Sequence, residues 1–202
     1  MPDFSLEDKT FGIVAGIDEA GRGSWAGPVY AAAVVLDRQY NYEFSHKIND
    51  SKKLSPRVRK ILFHSIITFS SVGVGQASVK EIDSMNILQA THLAMRRALK
   101  SLPETPRIAL VDGNSSPCFD IETTLVTKGD SISMSIAAAS IVAKVSRDNE
   151  MVRWANQYPG YGFETHKGYG TKNHMLAIKK LGPSAIHRQS FKPIKKYSKD
   201  RS

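Results

Sequence analysis

The chain has 202 residues, of which 41% are hydrophobic and 23% are charged, a composition that indicates one globular domain and excludes a disordered chain. No apolar run is long enough to cross a bilayer, and the acidic N-terminus lacks the apolar segment of a signal peptide. The single cysteine, Cys118, cannot form an internal disulfide, which favours a reducing, cytoplasmic location.

The net charge of +9 is concentrated in the last quarter of the chain. Residues 151–202 hold eight Lys and three Arg against Glu164 and Asp200, whereas the first 150 residues hold equal numbers of basic and acidic groups. A basic quarter joined to a neutral core predicts either a polyanion partner or a solubilising tail.

The first predicted elements are two strands separated by a glycine-rich loop. After a short lead-in over residues 1–11, residues 13–17 and 29–36 have the length and β-branched content of strands. Asp18 and Glu19 stand where the first strand ends, and three glycines follow within seven positions. Such a loop can bring backbone N–H groups close to a ligand, with Arg22 as a fork for phosphate.

The middle of the chain predicts helices and a third strand. Residues 37–49 are expected to form a loop, and Ser55 and Pro56 then begin a helix as N-cap and first helical residue. Residues 69–79 alternate as in a strand. Asp83-Ser84 is expected to cap a second helix, whose apolar face is Leu88, His92, Met95 and Leu99.

The second half predicts two further strands and two helices. Residues 108–111 and 121–127 have strand character, and residues 131–158 form a long buried helix whose exposed end carries Lys144, Arg147 and Asp148. A last helix over residues 171–181 is closed by Gly182 and Pro183, and residues 192–202 are expected to be a frayed basic tail. The order predicts one mixed α/β domain with a core over residues 1–150, a helical part over 151–191 and the tail.

Three segments share one pattern, in which an apolar strand is followed by an acid and a turn. They supply Asp18 with Glu19, then Asp112, then Asp130. Each alone has a structural reading, since Asp-Gly is a common turn pair and Asp130 could cap the long helix. Together, four carboxylates at strand ends without nearby cysteine predict a site for Mg²⁺ or Mn²⁺, and a pair of such ions could hydrolyse a phosphodiester.

Adjacent carboxylates on one strand raise a geometric question. Neighbouring strand residues point to opposite faces, so Asp18 and Glu19 cannot share a metal on a regular strand. The sequence therefore predicts either a bend at Glu19, made plausible by Gly21, or a contribution from the Glu19 backbone carbonyl.

The residues closely resemble the ribonuclease HII family, the type 2 ribonucleases H. The opening motif is Gly16-Ile-Asp18-Glu19-Ala-Gly21-Arg22-Gly23-x-x-Ala-Gly27-Pro28-Val29, and the likeness covers nearly everything from Gly12 to about Phe191. Further motifs in order are Asn49-Asp-Ser-Lys-Lys-Leu54, Val111-Asp-Gly-Asn114, Lys128-Gly-Asp130, Ser135 to Asp148, His166-Lys-Gly-Tyr-Gly-Thr171 and Gly182-Pro-Ser-x-Ile-His-Arg188. Ser24-Trp25 departs from the Pro-Leu type of pair common in the family, which could alter loop stiffness.

The resemblance implies an RNase H-like fold, a mixed five-stranded sheet flanked by helices with a helical basic C-terminal part. It implies an endonuclease that hydrolyses RNA paired to DNA and incises 5′ to single ribonucleotides in duplex DNA, leaving 3′-hydroxyl and 5′-phosphate ends. It further implies Asp18, Glu19, Asp112 and Asp130 as catalytic metal ligands. Substrate contacts are implied for the Gly21-Arg22-Gly23 backbone at the 2′-hydroxyl and for Tyr169 on the following sugar.

Several residues keep alternative interpretations. Lys52 and Lys53 either hold backbone phosphate or form a solvated pair, and Tyr169 could be an ordinary loop aromatic. His166, His174 and His187 fit no zinc spacing, which favours phosphate contacts or structural hydrogen bonds. Asp148 has Lys144 four residues before it as an ordinary helix partner.

Two rival functions are a ribonuclease HIII and a catalytically silent nucleic-acid-binding module. The first usually carries Gly-Lys-Gly in the loop and an additional N-terminal domain, which this sequence does not show. The second would gain nothing from clustered carboxylates that repel phosphate. The enzyme is expected to act as a monomer, on nucleic acid and without a membrane.

Overall fold

The computed structural model describes residues 1–40 and 42–198, and a five-stranded mixed sheet forms its centre. The sheet order is β3-β2-β1-β4-β5, with β1 antiparallel to β2, β2 antiparallel to β3, and β1, β4 and β5 parallel. The strands are β1 Val14–Ala20, β2 Val29–Val35, β3 Ser71–Ala77, β4 Ile108–Asp112 and β5 Glu122–Val126. The α/β fold class expected from the sequence is confirmed.

Seven helices are assigned in the described residues, and the larger ones cover both faces of the sheet. They are α1 Pro56–Phe69, α2 Val79–Met85, α3 Ile87–Lys100, α4 Met134–Gln157, α5 Phe163–His166, α6 Lys172–Leu181 and α7 Lys192–Ser198, with 3₁₀ turns at Glu7–Lys9, Ser45–Lys47 and Gly129–Ser131. Helices α1 and α4 pack on the face that carries Ala32 and Val34, whereas α3 packs on the face that carries Ile17 and Ala31. The short turn Ser45–Lys47 interrupts the predicted loop over residues 37–49.

Strand β3 buries its small residues rather than its large ones. A Cβ on Gly73 or Gly75 would lie 2.1–2.2 Å from the carbonyl oxygens of Ala98 and Ala94, so α3 packs directly on the strand backbone. Val74, on the other face, is exposed. The strand is shorter than the predicted residues 69–79, because its two ends belong to α1 and α2.

The first helix begins as predicted, but the cap expected for the second was wrong. Ser55 caps α1 and accepts from the Val58 N–H. The predicted Asp83-Ser84 cap lies inside α2, whose N-cap is Ser78 in a capping box with Glu81. A separate helix, α3, is capped by Asn86 at φ 73°, whose side chain accepts from two backbone N–H groups.

The long helix α4 begins three residues later than predicted. Ser133 is its N-cap, so Asp130 does not cap the helix but lies in the preceding 3₁₀ turn. The N-terminal lead-in reinforces this start, because the buried Glu7 carboxylate accepts from Ser133 Oγ at 2.6 Å and from the Ser135 N–H at 2.9 Å. Arg147, expected at an exposed helix end, is fully buried.

The C-terminal helices pack as one apolar cluster against the loop between β1 and β2. Phe163, Ile178, Ile186 and Ile194 are buried together with Ala26. The expected frayed tail was wrong for residues 192–198, which form α7 around the buried Ile194, and residues 199–202 lie outside the described residues. No helix among the described residues is both long and apolar enough to cross a membrane.

Candidate active site

The four sequence-predicted carboxylates gather at one edge of the sheet. The last parallel pair of β1 and β4 is Ile17 with Val111, so Asp18 and Asp112 follow it side by side. Asp130 comes from the turn after β5, which is tied to β4 by a 2.7 Å hydrogen bond from the Gly129 N–H to Asp112 Oδ1. Parallel strands therefore bring together acids that are up to 112 residues apart in sequence.

The pKa values of these acids reflect a surplus of negative charge. Burial, followed by the charges of Glu19 and Asp112, raises the pKa of Asp18 well above its ordinary value. Burial also raises the pKa of Glu19, although Arg22 at 3.4 Å opposes the shift. Burial and the charges of Asp50 and Asp112 raise the pKa of Asp130. A cation at this edge would relieve the shared repulsion.

The expected bend at Glu19 is not found. Strand β1 stays in register with β2 through Ala20, opposite Tyr30, so Asp18 and Glu19 lie on opposite faces as regular strand neighbours. Glu19 lines a shallow depression with Asp112 on the α3 side and also borders the cavity of Asp18. Within the described residues, no three His, Cys, Asp or Glu side chains are arranged around one common ion position.

The donor chemistry nevertheless fits a hard divalent cation. All four side chains offer carboxylate oxygens, the ligands that Mg²⁺ and Mn²⁺ prefer, and two of them, Asp18 and Asp130, are buried with raised pKa values.

The glycine-rich loop is held from behind by a buried arginine. Arg188 donates to the carbonyl oxygens of Gly21 at 2.7 Å, Arg22 at 2.9 Å and Gly27 at 2.9 Å. In a trans peptide the C=O and the next N–H point in opposite directions, so the N–H groups of Arg22 and Gly23 point away from Arg188. The loop thus presents donors on its outer side.

A second buried arginine makes glycine necessary at the start of this loop. Arg147 donates to the carbonyl oxygens of Pro28 at 3.1 Å and Ala26 at 3.2 Å. Gly21 has φ 97°, and a Cβ there would lie 2.0 Å from Arg147 Nε. At Gly23, by contrast, a Cβ would meet nothing within 4 Å, so the need for glycine there is not one of packing inside the protein.

A cavity of about 390 Å³ joins Asp18 and Glu19, the glycine-rich loop and Tyr169. Its lining comprises residues 18–23, Ser51, Lys52, Lys144 and Tyr169. Two cations approach the Tyr169 ring, since Lys144 Nζ and Arg147 Cζ are each 5.3 Å from its centroid. A larger groove of about 760 Å³ at the opposite end of the sheet contains Arg38, whose guanidinium already donates to three backbone carbonyls.

The two predicted phosphate-binding lysines have different positions. Lys52 lines the cavity, and although partial burial acts against it, the carboxylates of Asp18 and Asp50 raise its pKa. Lys53 is exposed and does not line this cavity in the described structure. Lys144 is engaged with Asp148 at 2.7 Å, as the four-residue spacing predicted.

Sequence reasoning missed the roles of Arg147 and Arg188 in shaping the loop. A local signal for Arg147 existed, because it occurs at helical spacing between the buried Ala143 and Met151. Arg188 offered no comparable periodicity, since it lies outside any helix or strand.

The sheet order and the helical layers define an RNase H-like fold, with four carboxylates near the carboxyl ends of its parallel strands. The model of the family described as Ribonuclease HII matches residues 15–194. A ribonuclease HII from Jannaschia sp. (strain CCS1) is 52% identical over 196 residues, which are 96% of this chain and 97% of the relative. The chain therefore belongs to the ribonuclease HII family, and it is an endoribonuclease acting on the RNA of RNA–DNA hybrids.

Solved structures agree with this assignment. Ribonuclease H2 from Pyrococcus horikoshii OT3 has a TM-score of 0.75 and 30% identity, covering 93% of this chain and 98% of that one. Bst-RNase HIII in complex with Mn²⁺ has a TM-score of 0.76 at 22% identity, covering 93% of this chain and 70% of that one, and shares the fold. The expectation of type 2 rather than type 3 is confirmed by the family match.

Proposed function

We propose that the chain, beyond cleaving the RNA strand of hybrids, incises duplex DNA on the 5′ side of a single embedded ribonucleotide. The products would carry 3′-hydroxyl and 5′-phosphate ends, as expected for repair of misincorporated ribonucleotides. The observation that carries this proposal is the single cavity shared by Asp18, the loop of Gly21 to Gly23 and Tyr169.

Asp18, Glu19, Asp112 and Asp130 would hold Mg²⁺ or Mn²⁺, with a two-metal site favoured by the number of carboxylates. Such ions lower the pKa of a water nucleophile and neutralise charge on the phosphate that is attacked. The raised pKa values of Asp18, Glu19 and Asp130 support the need for positive charge at this edge.

The loop would recognise the ribose. The 2′-hydroxyl is what distinguishes RNA from DNA at a given position, and the outward N–H groups of Arg22 and Gly23 can donate to it. The absence of a side chain at Gly23, where the protein itself leaves open space, allows the sugar to approach the backbone.

Tyr169 would read the next nucleotide. Its ring packed against a sugar would exclude a second 2′-hydroxyl sterically and so favour an RNA–DNA junction. Lys52, which lines the same cavity, would contact backbone phosphate, and Lys53, being exposed outside it, would act only at longer range.

We place the enzyme in the cytoplasm as a monomer. The exposed, unpaired Cys118 supports a reducing compartment. The basic α6 and α7 surface supports duplex DNA as the partner, because its exposed lysines can release counterions from phosphate.

The test uses a labelled DNA duplex with one ribonucleotide, incubated with Mg²⁺, with Mn²⁺ and with EDTA. A nick on the 5′ side of the ribonucleotide that EDTA abolishes is the expected result. Cleavage of a continuous RNA–DNA hybrid without this nick would contradict the proposal that the enzyme recognises an RNA–DNA junction. Binding to both substrates without cleavage would leave a silent binding module.

A further inference from the structure

Three histidines form a buried cluster directly behind the Tyr169 backbone. His174 and His187 are fully buried, and their Nε2 atoms are 3.0 Å apart. The His166 ring stacks on His174 with centroids 4.2 Å apart, and Phe163 meets His174 edge-on at 5.5 Å. The cluster lies between α5, α6 and the turn that precedes Arg188.

Backbone partners set the directions of the hydrogen bonds in this cluster, because a backbone N–H can only donate and a carbonyl oxygen can only accept. The Ser184 backbone N–H can only donate, and it meets His187 Nδ1 at 2.9 Å, so that nitrogen is unprotonated and also accepts from Ser184 Oγ at 2.8 Å. The proton of a neutral His187 is then on Nε2 and is donated to His174 Nε2. His174 consequently carries its proton on Nδ1, which is 2.9 Å from the Tyr169 carbonyl oxygen.

The protonation of His166 can be assigned in the same way from its hydrogen bonds. The Gly168 N–H donates to its Nδ1 at 3.2 Å, so its Nε2 carries the proton and donates to the Tyr161 carbonyl at 2.7 Å. All three rings are therefore neutral. Burial, which lowers the pKa of His174 to about 4 and that of His187 to about 3, agrees with this protonation.

We propose that Ser184, His187 and His174 form a hydrogen-bond relay that positions the Tyr169 backbone and thereby sets the enzyme's preference for RNA–DNA junctions. The inference rests on the proposed function, in which the Tyr169 ring packs on the sugar after the ribonucleotide. His174 and His187 are positioning residues, because Tyr169 separates them from the substrate cavity.

The Tyr169 segment needs such an anchor. Lys167 and Gly168, just before it, both have positive φ values of 52° and 81°, a conformation that costs free energy in a free chain for a non-glycine residue. The Tyr169 carbonyl accepts from the Thr171 N–H at 2.8 Å as well as from His174, so the relay adds a second, buried contact to a local turn. That second contact fixes the direction of the peptide plane relative to α6.

A matched pair of substitutions at His174 separates positioning from packing. In His174→Asn the amide nitrogen replaces Nδ1 and can still donate to Tyr169, whereas the link to His187 is lost. In His174→Gln the amide reaches the Nε2 position and keeps a link to His187, whereas the donor to Tyr169 is lost. Both remove the buried ring, so both should lower thermal stability to a similar degree.

The activity readout is the ratio of kcat/KM on a duplex with one ribonucleotide to kcat/KM on a continuous hybrid. We expect His174→Gln to lower this ratio about 5- to 10-fold and His174→Asn to keep it within about 2-fold. In a Tyr169→Ala background, His174→Gln should change the ratio no further, because the relay acts through Tyr169. The proposal would be overturned if the two His174 variants changed the ratio equally. It would also be overturned if His174→Gln lowered the ratio as much in the Tyr169→Ala background as in the unmodified chain.

A further variant and a spectroscopic measurement secure the test. His187→Asn can accept from Ser184 but cannot donate to His174, so it removes the group that holds the His174 proton on Nδ1, a constraint that an asparagine amide at position 174 does not need. It should therefore lower the ratio, and an unchanged ratio would count against the relay. Independently of any activity, ¹⁵N NMR of the ring nitrogens at pH 7 should find the proton on Nδ1 of His174 and on Nε2 of His187. The opposite tautomers would overturn the relay, whereas failure to nick at a ribonucleotide with these tautomers present would overturn only the proposed function.

Discussion

Arg188 Nη2 donates a 2.7 Å hydrogen bond to the carbonyl oxygen of Gly21, a residue 167 positions earlier in the chain. This contact turns the loop carbonyls inward and leaves the N–H groups of Arg22 and Gly23, two residues that line the cavity, pointing away from Arg188. The buried guanidinium has no carboxylate partner within salt-bridge distance in the described structure, and burial followed by the charge of Arg147 lowers its pKa to about 9.

The first prediction concerns this arginine. Arg188→Lys replaces a five-donor fork with a point charge and leaves loop carbonyls buried without donors, so we expect a loss of about 2–4 kcal/mol in the free energy of unfolding. We also expect kcat/KM to fall roughly 10- to 100-fold as the loop loses its orientation. Denaturant unfolding and steady-state kinetics measure both, with the exposed Arg153→Lys as control, and full activity in Arg188→Lys would refute the orienting role.

The second prediction concerns Tyr169. Tyr169→Ala should lose its preference for single embedded ribonucleotides more than its activity on continuous hybrids, by about tenfold in the ratio of kcat/KM values. Tyr169→Phe keeps an aromatic ring within reach of Lys144 and Arg147 and serves as the matched control. Equal losses on both substrates would argue against junction reading.

The third prediction concerns pH and the histidine cluster. The folded pKa values of His174 and His187, about 4 and about 3, lie below the ordinary value of 6.5. Below that ordinary value the unfolded chain binds protons that the folded chain does not, so stability falls as the pH falls. Between pH 7.5 and 5.5 the two groups together should remove about 2–3 kcal/mol from the free energy of unfolding.

Asp18, Glu19 and Asp130 have raised pKa values in the folded chain. Their contribution to the free energy of unfolding therefore rises as the pH falls, opposite to that of the histidines. Glu164 and Lys167 are the charged groups that influence the neighbouring His166. The informative quantity is therefore the difference between the unmodified chain and His187→Gln. Between pH 7.5 and 5.5, the variant should lose less free energy of unfolding, by about half of the amount that the two histidines contribute together. An unaltered pH dependence in that variant would mean that folding does not lower the pKa of His187.

The fourth prediction concerns the basic C-terminal helix. Removing the chain after Phe191 would also remove the buried Ile194, so the sharper change is Lys195→Gln with Lys196→Gln, two exposed residues of α7. If both contact phosphate, the slope of log Kd against log salt should fall by about 2. Lys9→Gln, in the exposed lead-in, is the control, and an identical slope in the α7 variant would leave the helix a solubilising element.

The position of the acids at the ends of the parallel strands was predictable from the sequence, because it depends on a local pattern. An apolar strand followed by an acid recurs for Asp18 and Asp112, and parallel pairing then places such ends together. The strand itself runs further than expected, through Asp18 and Glu19, because β2 continues to pair with it as far as Ala20. Pairing across the sheet outweighed the low strand preference of two charged residues.

Other features depended on contacts that no local pattern reports. Asp83 looks like a helix cap, but its carboxylate accepts from the N–H groups of Gln189 and Ser190 at 3.0 Å and 2.9 Å, so it anchors the C-terminal segment instead. Arg147 looks like part of an exposed helix end, yet it is buried against the Ala26 and Pro28 carbonyls, about 120 residues away in sequence. Only the assembled fold decides which donors and acceptors meet.

Asp112→Asn tests the metal-dependent nuclease account most directly. Asparagine preserves an oxygen that can accept from the Gly129 N–H, so the turn after β5 should stay in place while one negative charge is lost. The rate of nicking and the Kd for a duplex with one ribonucleotide should be measured with Mg²⁺, using the exposed Asp120→Asn as control. We predict a loss of about 10³-fold or more in rate with Kd changed less than about 3-fold; a rate within a few-fold of the unmodified chain would contradict the assignment of Asp112 to the metal site.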